Sequence, residues 1–484
     1  MKSRRYLMLS ALMTMATILS WGGCLYAQDI PYTTNSEEAR QHYLRGLENA
    51  EYFMIPQAKD DFQNAIEADP NFAMAYYYLN TLATTATEAQ EMLGKAMAQL
   101  ESISEAERLV ILSAKATSDN NTEAAVADLK QLAGLLPNGK RAHYMLGNYL
   151  YGLQNWDESE KAYLRAVEID PKYAPPYNNL AYIYSNQGKY EDAIEALQKY
   201  ADARPTDANP HDSMGEIYLW MGDHDNSIKG YTKALGLDPQ YAPSYAGLGH
   251  NYTFMGNYKK AREEYNLIRT HARNLADSNT AFFWVTVSYL HEGKPAEAAM
   301  TLQEQLEFCR AHNNIQMEAA IHGQLGRVYM QSGEFDKALK EVAQERKLAM
   351  DPQFQPGARA TFIMDGLFTE SMICARQGKK EQSDAKAAEF KKWAEETGNP
   401  LIIKNIHTLI GINAYWAKDY KTALMELSES NPLNQEAKYY RGLCLIAQGD
   451  NAEAKKVFSE IAKFNQNSII YGLYRRAATE KLQA

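Results

Sequence analysis

Cysteine is scarce in this chain: four residues in 484, at positions 24, 309, 374 and 444. Beyond Cys24, the trio Cys309, Cys374 and Cys444 is odd in number and widely spaced. That excludes a disulfide framework and offers no paired spacing for zinc. All three lie in apolar helical stretches such as Arg441-Gly442-Leu443-Cys444-Leu445, where cysteine serves as a small buried hydrophobe. Catalytic motifs are missing too. There is no His-Glu-x-x-His zinc pattern, no Gly-x-x-x-x-Gly-Lys-Ser/Thr phosphate loop and no Gly-x-Ser-x-Gly elbow. Basic charge is in deficit: 50 Lys and Arg against 60 Asp and Glu, a net of −10. A chain so charged is not built to hold nucleic acid or an anionic membrane surface by bulk electrostatics. With neither motif nor metal set, we read no enzyme and expect no cofactor.

Apolar runs are short. Lys2, Arg4 and Arg5 precede an uncharged apolar run from Tyr6 to Leu19, below the ~20 residues a membrane span needs. Ala27 follows, and Gln28-Asp29 opens a polar chain. Residues 1–27 therefore read as a bacterial secretory signal peptide cut after Ala27, with a retained anchor as the rival. Trp21-Gly22-Gly23-Cys24 offers a third route. It resembles a lipoprotein box, with Trp21 where such boxes usually carry Leu, and would make Cys24 the lipidated first residue. The expected location is periplasmic or secreted, or the outer membrane as a lipoprotein; Cys24 is the only expected membrane attachment. Removing the three basic residues of this segment leaves 47 basic against 60 acidic, a formal charge of −13.

What the chain has in abundance is a repeat. From Lys140 to Arg273 one pattern recurs four times at a period of 34 residues, and Pro171, Pro205 and Pro239 mark it. The last copy carries Tyr245, Leu248-Gly249, Tyr252, Gly256, Ala261 and Tyr265; the others carry Leu146-Gly147 with Tyr163, Leu180-Ala181 with Ala193, and Gly215 with Tyr231. Apolar residues at three- and four-residue steps make two amphipathic helices per copy. In the second copy these are Pro175 to Asn186, breaking near Gly188, and Tyr190 to Ala203, ending before Pro205. Gly147, Ala181, Gly215 and Gly249 are small because paired helices approach closely there, with Ala193 and Ala261 facing them and aromatic residues filling the gaps between. This pattern resembles the tetratricopeptide repeat (TPR). The resemblance implies an all-α solenoid of about twelve antiparallel helix pairs, forming a right-handed superhelix with a C-terminal capping helix. One pair cannot bury its own apolar face, so neighbours must stack.

Around the regular block, residues 139–275, the register loosens. Residues 28–138 read as three pairs, the middle one lacking its turn glycine. Residues 276–350 hold two pairs whose glycines Gly293 and Gly333 stand 40 apart, so their second helices should be longer; the junction from Thr270 to Asn279 also looks long. Asp351 to Gly357 is a Pro- and Gly-bearing join, the expected bend or boundary, leaving open one superhelix or two arms. Residues 351–484 add three pairs and a solitary helix, Ser468 to Leu482, whose polar outer face should cap the array.

The ten histidines are dispersed. His42, His143, His211, His322 and His407 occupy the repeat position that carries Tyr177 and Tyr245 elsewhere, so they read as packing groups. Asn-x-Thr at Asn120 and Asn251 reads as chance. Asp157-Glu158 suits a helix start.

The TPR resemblance implies that first helices line a concave groove that holds an extended peptide or partner segment. It places there Arg141, Tyr144, Asn148 and Tyr151; then Asn178, Tyr182, Ser185 and Asn186; then Asp212, Glu216 and Trp220; then His250 and Phe254, with Arg327 continuing the row. Amides suit a peptide backbone, and Tyr and Trp give contact area at low entropic cost. A clamp for a terminal carboxylate is not expected: Asn148 and Asn178 are placed for one, but its lysines are missing and Asp212 and Glu216 would repel it. The function expected is a non-enzymatic protein-binding scaffold outside the cytoplasm. The alternative is a carbohydrate-binding or uptake accessory protein of the cell envelope. The partner's identity and the oligomeric state stay open.

Overall fold

The computed structural model describes residues 29–483 other than 53, 120, 352, 353 and 355. The expected signal segment with Cys24, the sequon at Asn120 and part of the 351–357 join lie outside the described residues. The chain divides between Pro205 and Thr206 into two compact units. Every described element is a helix.

The first unit holds α1 (Glu37–Glu51), α2 (Ile55–Ala68), α3 (Ala73–Thr81), α4 (Ala86–Met97), α5 (Glu105–Ser118), α6 (Thr122–Leu135), α7 (Lys140–Gly152), α8 (Trp156–Ile169), α9 (Pro175–Asn186) and α10 (Tyr190–Ala203). The second holds α11 (Asn209–Met221), α12 (His224–Leu237), α13 (Ala242–Phe254), α14 (Tyr258–Thr270), α15 (Leu275–Glu292), α16 (Pro295–Ala311), α17 (Ile315–Gln331), α18 (Phe335–Ala349), α19 (Pro356–Arg376), α20 (Lys380–Glu396), α21 (Pro400–Trp416), α22 (Tyr420–Glu429), α23 (Gln435–Ala447), α24 (Asn451–Lys463) and α25 (Ile469–Gln483). Odd-numbered helices are the first members of twelve pairs, even-numbered the second, and α25 is unpaired.

Local chemistry sets the boundaries. α9 opens on Pro175 and Pro176, where no intrahelical N–H is needed, and α10 ends ahead of Pro205. Ser104 caps α5 in a reciprocal box with Glu107, and the α8 start carries Asp157 and Glu158. In the regular block the turn inside a pair uses one left-handed residue. Gly188, Gly222 and Gly256 supply it at φ 75–80°, while the same place in the preceding copy is Gln154 at φ 58°.

Packing within a pair follows a sixteen-residue step. Gly46 lies under Phe62, Gly147 under Tyr163, Gly215 under Tyr231, Gly249 under Tyr265 and Gly442 under Phe458; Val342 and Leu427 cover Gly326 and Gly411. A Cβ on Gly249 would stand 2.2 Å from the Tyr265 ring, so the aromatic lies on the glycine itself rather than in a gap beside it. Twelve residues after the glycine the second helix is small, as expected. Ala193 and Ala261 are fully buried there, and Ser159 and Ser227 donate to the Gly147 and Gly215 carbonyls at 2.9 and 2.6 Å.

The second helices of the long pairs are longer, as expected, α16 and α18 having 17 and 15 residues against 14 in α12, but the first helices gain more: α15 and α17 have 18 and 17 against 13 in α11 and α13. One expectation needs correction. The junction before α15 is not long. It spans 271–274, matching 238–241 one copy earlier, because residues 275–279 have become an added first turn. Across the 351–357 join, α18 and α19 pack side by side, with Arg346 bonded to Glu370 at 3.0 Å.

Candidate functional site: the inner walls

In the first unit, the segment from Asp29 to Thr34 carries no helix and runs along the wall made by first helices. The Thr33 N–H donates to Glu107 Oε1 at 2.6 Å and its hydroxyl to Oε2 at 2.7 Å. Thr34 donates to Asp69 at 2.5 Å, the Tyr32 ring leans on Tyr43 at 5.1 Å, and Ile30 is buried. Glu107 is fully buried and also accepts from the Ser104 N–H and hydroxyl, so one carboxylate both caps α5 and holds the segment. A buried carboxylate demands such partners.

Arg141 is on this wall but is already engaged. It pairs with Asp29 and, at 2.5 Å, with Glu51, whose other donor is the Tyr173 hydroxyl at 3.0 Å. Tyr144 meets Tyr173 edge-on at 5.5 Å, and Tyr151 meets Trp156 edge-on at 5.0 Å. Asn148 is exposed, yet its oxygen accepts from the Tyr163 hydroxyl at 2.8 Å and from Asn179 at 2.9 Å. Asn178 and Ser185 are buried, so they do not face an open groove as expected; Tyr182 is half-buried and Asn186 exposed.

In the second unit Asp212 accepts from the Ser244 hydroxyl at 2.6 Å; burial, with Glu216 nearby, pushes its carboxyl up to about 7. Glu216 and Trp220 are half-buried. His250 is not open to a ligand. Its Nδ1 lies 2.8 Å from the Tyr265 hydroxyl and 3.2 Å from Asn467 Nδ2, and Trp284 meets its ring at 4.3 Å. Burial holds the imidazole down to about 3. Phe254 is covered by Arg475 at 4.6 Å. Arg327 is buried over Phe368, with Glu436 and Asp365 each 3.4 Å away.

The cover over these residues is the C-terminal segment, which corrects the simple cap. α25 packs on α23 and α24 as a further first helix would. Its other side is not left polar and open, because the ends of α13, α15 and α17 lie on it. Gly472 sits against Leu290, Tyr474 donates to Glu436 at 2.7 Å and accepts from Gln331 at 2.5 Å, and Arg476 reaches the Glu292 carbonyl at 2.7 Å. Asn467 also meets His291 Nε2 at 2.9 Å. Beside this cover a cavity of about 510 Å³ remains, walled by Arg327, Asn405, Gln435, Glu436 and Phe464 among others. The Ser104-x-x-Glu107 signature was a legible capping box; that Glu107 also holds Thr33 had no sequence signal.

The histidines at the aromatic place of the repeat do more than pack. His143 reaches the Pro137 carbonyl as Tyr177 and Tyr245 reach Pro171 and Pro239, always six residues back. His42, His322 and His407 face an acid nineteen residues on, Asp61, Glu341 and Glu426. Asn251 is fully buried and bonded to Ser227, a structural role. Cys309 and Cys444 are buried, whereas Cys374 is only half-buried, short of the expectation. Among the described residues no cluster of His, Cys, Asp and Glu stands where it could hold a metal ion, and no helix is long and apolar enough to cross a membrane.

No curated protein sequence matches this chain. Among solved structures, a tetratricopeptide repeat protein from Parabacteroides merdae ATCC 43184 is similar at 16% identity over 54% of this chain and 99% of that one, with a TM-score of 0.38. MamA is similar at 20% identity over 34% of this chain and 88% of its own, TM-score 0.30. A MamA fragment, 41-end, from Desulfovibrio magneticus RS-1 matches at 20% over 35% and 97%, TM-score 0.31. Family models described as tetratricopeptide repeat match residues 140–173, 162–195, 211–241, 242–268 and 420–468. Four of these matches span a glycine and its ring at the sixteen-residue packing step, and the chain carries tetratricopeptide repeats, the helix-pair unit of protein-interaction scaffolds.

Proposed function

We propose that this scaffold works outside the cytoplasm and holds a partner protein by an extended segment laid along the first-helix wall of its first unit. One observation carries the reading: residues 29–34 already lie on that wall as a non-helical segment, with a backbone N–H on the buried Glu107 and an acidic side chain on Arg141. A wall that binds its own chain this way has the chemistry to bind another. Further along it, Asn186 is an exposed amide with capacity for a peptide backbone. The export reading rests on the basic and apolar residues 2–19 and on Ala27. The test is a pull-down from the cell envelope with wild type and with Tyr182→Ala/Asn186→Ala. A partner recovered at least ~10-fold less with the variant, at unchanged helicity, is expected; equal recovery moves the interface off this wall.

A further inference from the structure

Each group that residues 29–34 touch on the first-unit wall keeps a second partner of its own. Glu107, which takes the Thr33 N–H and hydroxyl, also accepts from the Ser104 N–H at 3.0 Å and hydroxyl at 2.7 Å. Asp69, which takes the Thr34 hydroxyl, also accepts from the Asn71 N–H at 3.0 Å. Arg141, paired with Asp29, also holds both oxygens of Glu51, at 2.5 and 3.3 Å. Tyr43, beside the Tyr32 ring, also meets Phe72 at 4.8 Å and Phe62 at 5.8 Å. The start of α1 is independent too, because Ser36 caps it through the Ala39 N–H at 3.1 Å.

Leaving a buried charge unpaired is what makes such contacts costly to break, and lifting this segment off strands none of these groups. In the segment itself only Ile30 is buried, and Pro31 and Thr33 are exposed. It is held by chemistry that any peptide of like sequence could supply.

We propose that residues 29–34 are a displaceable occupant of this wall, and that the wall takes in their place a partner segment of the same chemistry. That segment carries a carboxylate for Arg141, an aliphatic side chain next to it, an aromatic ring for Tyr43, and Thr or Ser for Glu107 and Asp69. The inference rests on the reading that this wall is where the partner is held. The resident segment sets the threshold: a partner binds only the open fraction of molecules, and its apparent affinity falls by that fraction.

A fluorescein-labelled peptide with the sequence of residues 28–36 tests it. The full chain is compared with Ile30→Ser/Tyr32→Ser/Thr33→Pro, which removes the buried side chain, the ring and the N–H that hold the segment. Anisotropy should give a Kd below ~1 mM for the variant and binding at least ~10-fold weaker for wild type. The same peptide carrying Asp29→Ala and Thr33→Pro should bind the variant at least ~10-fold more weakly. If the triple variant does not fold, Thr33→Pro alone replaces it. In wild type the Thr33 amide should exchange its hydrogen by local opening, at a rate that low denaturant leaves unchanged. The inference is overturned if the peptide binds both proteins equally, if it does not bind the variant at several times ~1 mM, or if Thr33 exchanges only on global unfolding. The envelope pull-down keeps the two readings apart. Peptide binding with equal partner recovery by wild type and the triple variant sinks the partner's location and leaves the displaceable occupant. Partner loss with Tyr182→Ala/Asn186→Ala but no peptide binding does the reverse.

Discussion

At the scale of single residues, small side chains under large ones hold the pairs together. Burying a ring of this kind contributes roughly 1.5–3 kcal/mol, and only glycine lets the first helix come close enough to receive it. Gly249→Leu should therefore lower stability by about 1–3 kcal/mol or more, seen as an earlier thermal transition; melting at the wild-type temperature would mean that Tyr265 does not rest on position 249. The glycine and its ring were both readable in the repeat. Their direct contact was not, because a periodic pattern reports which positions are alike and not which of them touch. Asn148 and His250 show the same limit. Each was identified by its place in the repeat, and each turns out to be engaged by neighbours, Tyr163 and Asn179 for one, Tyr265, Trp284 and Asn467 for the other.

At the scale of elements, the C-terminal segment is held across two imidazoles, His250 half-buried and His291 buried. His250 is faced by Asn467, Tyr265 and Trp284; His291 by Asn467, Tyr471, Phe254 and Arg475. Burial first, then the charge of Arg475 in the case of His291, lowers both from 6.5 to about 3. The unfolded chain thus takes up protons below pH 6.5 that the folded chain refuses until about pH 3. The imidazoles' contribution is complete above pH 6.5 and is lost as the pH falls through that window, by roughly 1.4 kcal/mol per pH unit for each, while the carboxyls of Asp212 and Glu345, raised by burial, act in the opposite direction. Relative to His250→Gln/His291→Gln, the wild type should lose denaturant midpoint between pH 7.5 and pH 5, with faster tryptic cleavage at Arg475 and Arg476. His250→Gln/His291→Gln should flatten that dependence, and identical slopes in both proteins would assign the acid sensitivity elsewhere.

For the whole molecule, each unit has a core of its own. In the first, Tyr43, Phe62, Phe72, Leu109, Ile111 and Leu132 are buried together; in the second, Leu302, Ile321, Leu367, Met372 and Leu409 are. A chain of residues 28–205 should fold alone, with strong helical dichroism and one cooperative thermal transition, because its packing terms are nearest-neighbour ones plus the Asp29–Arg141 and Glu51–Arg141 closures. A broad, gradual melt would show that its last pair depends on residues beyond 205.

The sequence by itself determined the helices, the pairing and the family. Those depend on signals a few residues long: Ser and Asn caps, prolines at helix starts, a left-handed glycine in most turns of the later pairs, and apolar spacing that repeats every 34 residues. Only the tertiary structure decided what lies on the inner walls. Thr33 meets Glu107 74 residues away, and Asn467 meets His250 217 residues away. Such contacts join unlike segments once each, so they leave no period to read.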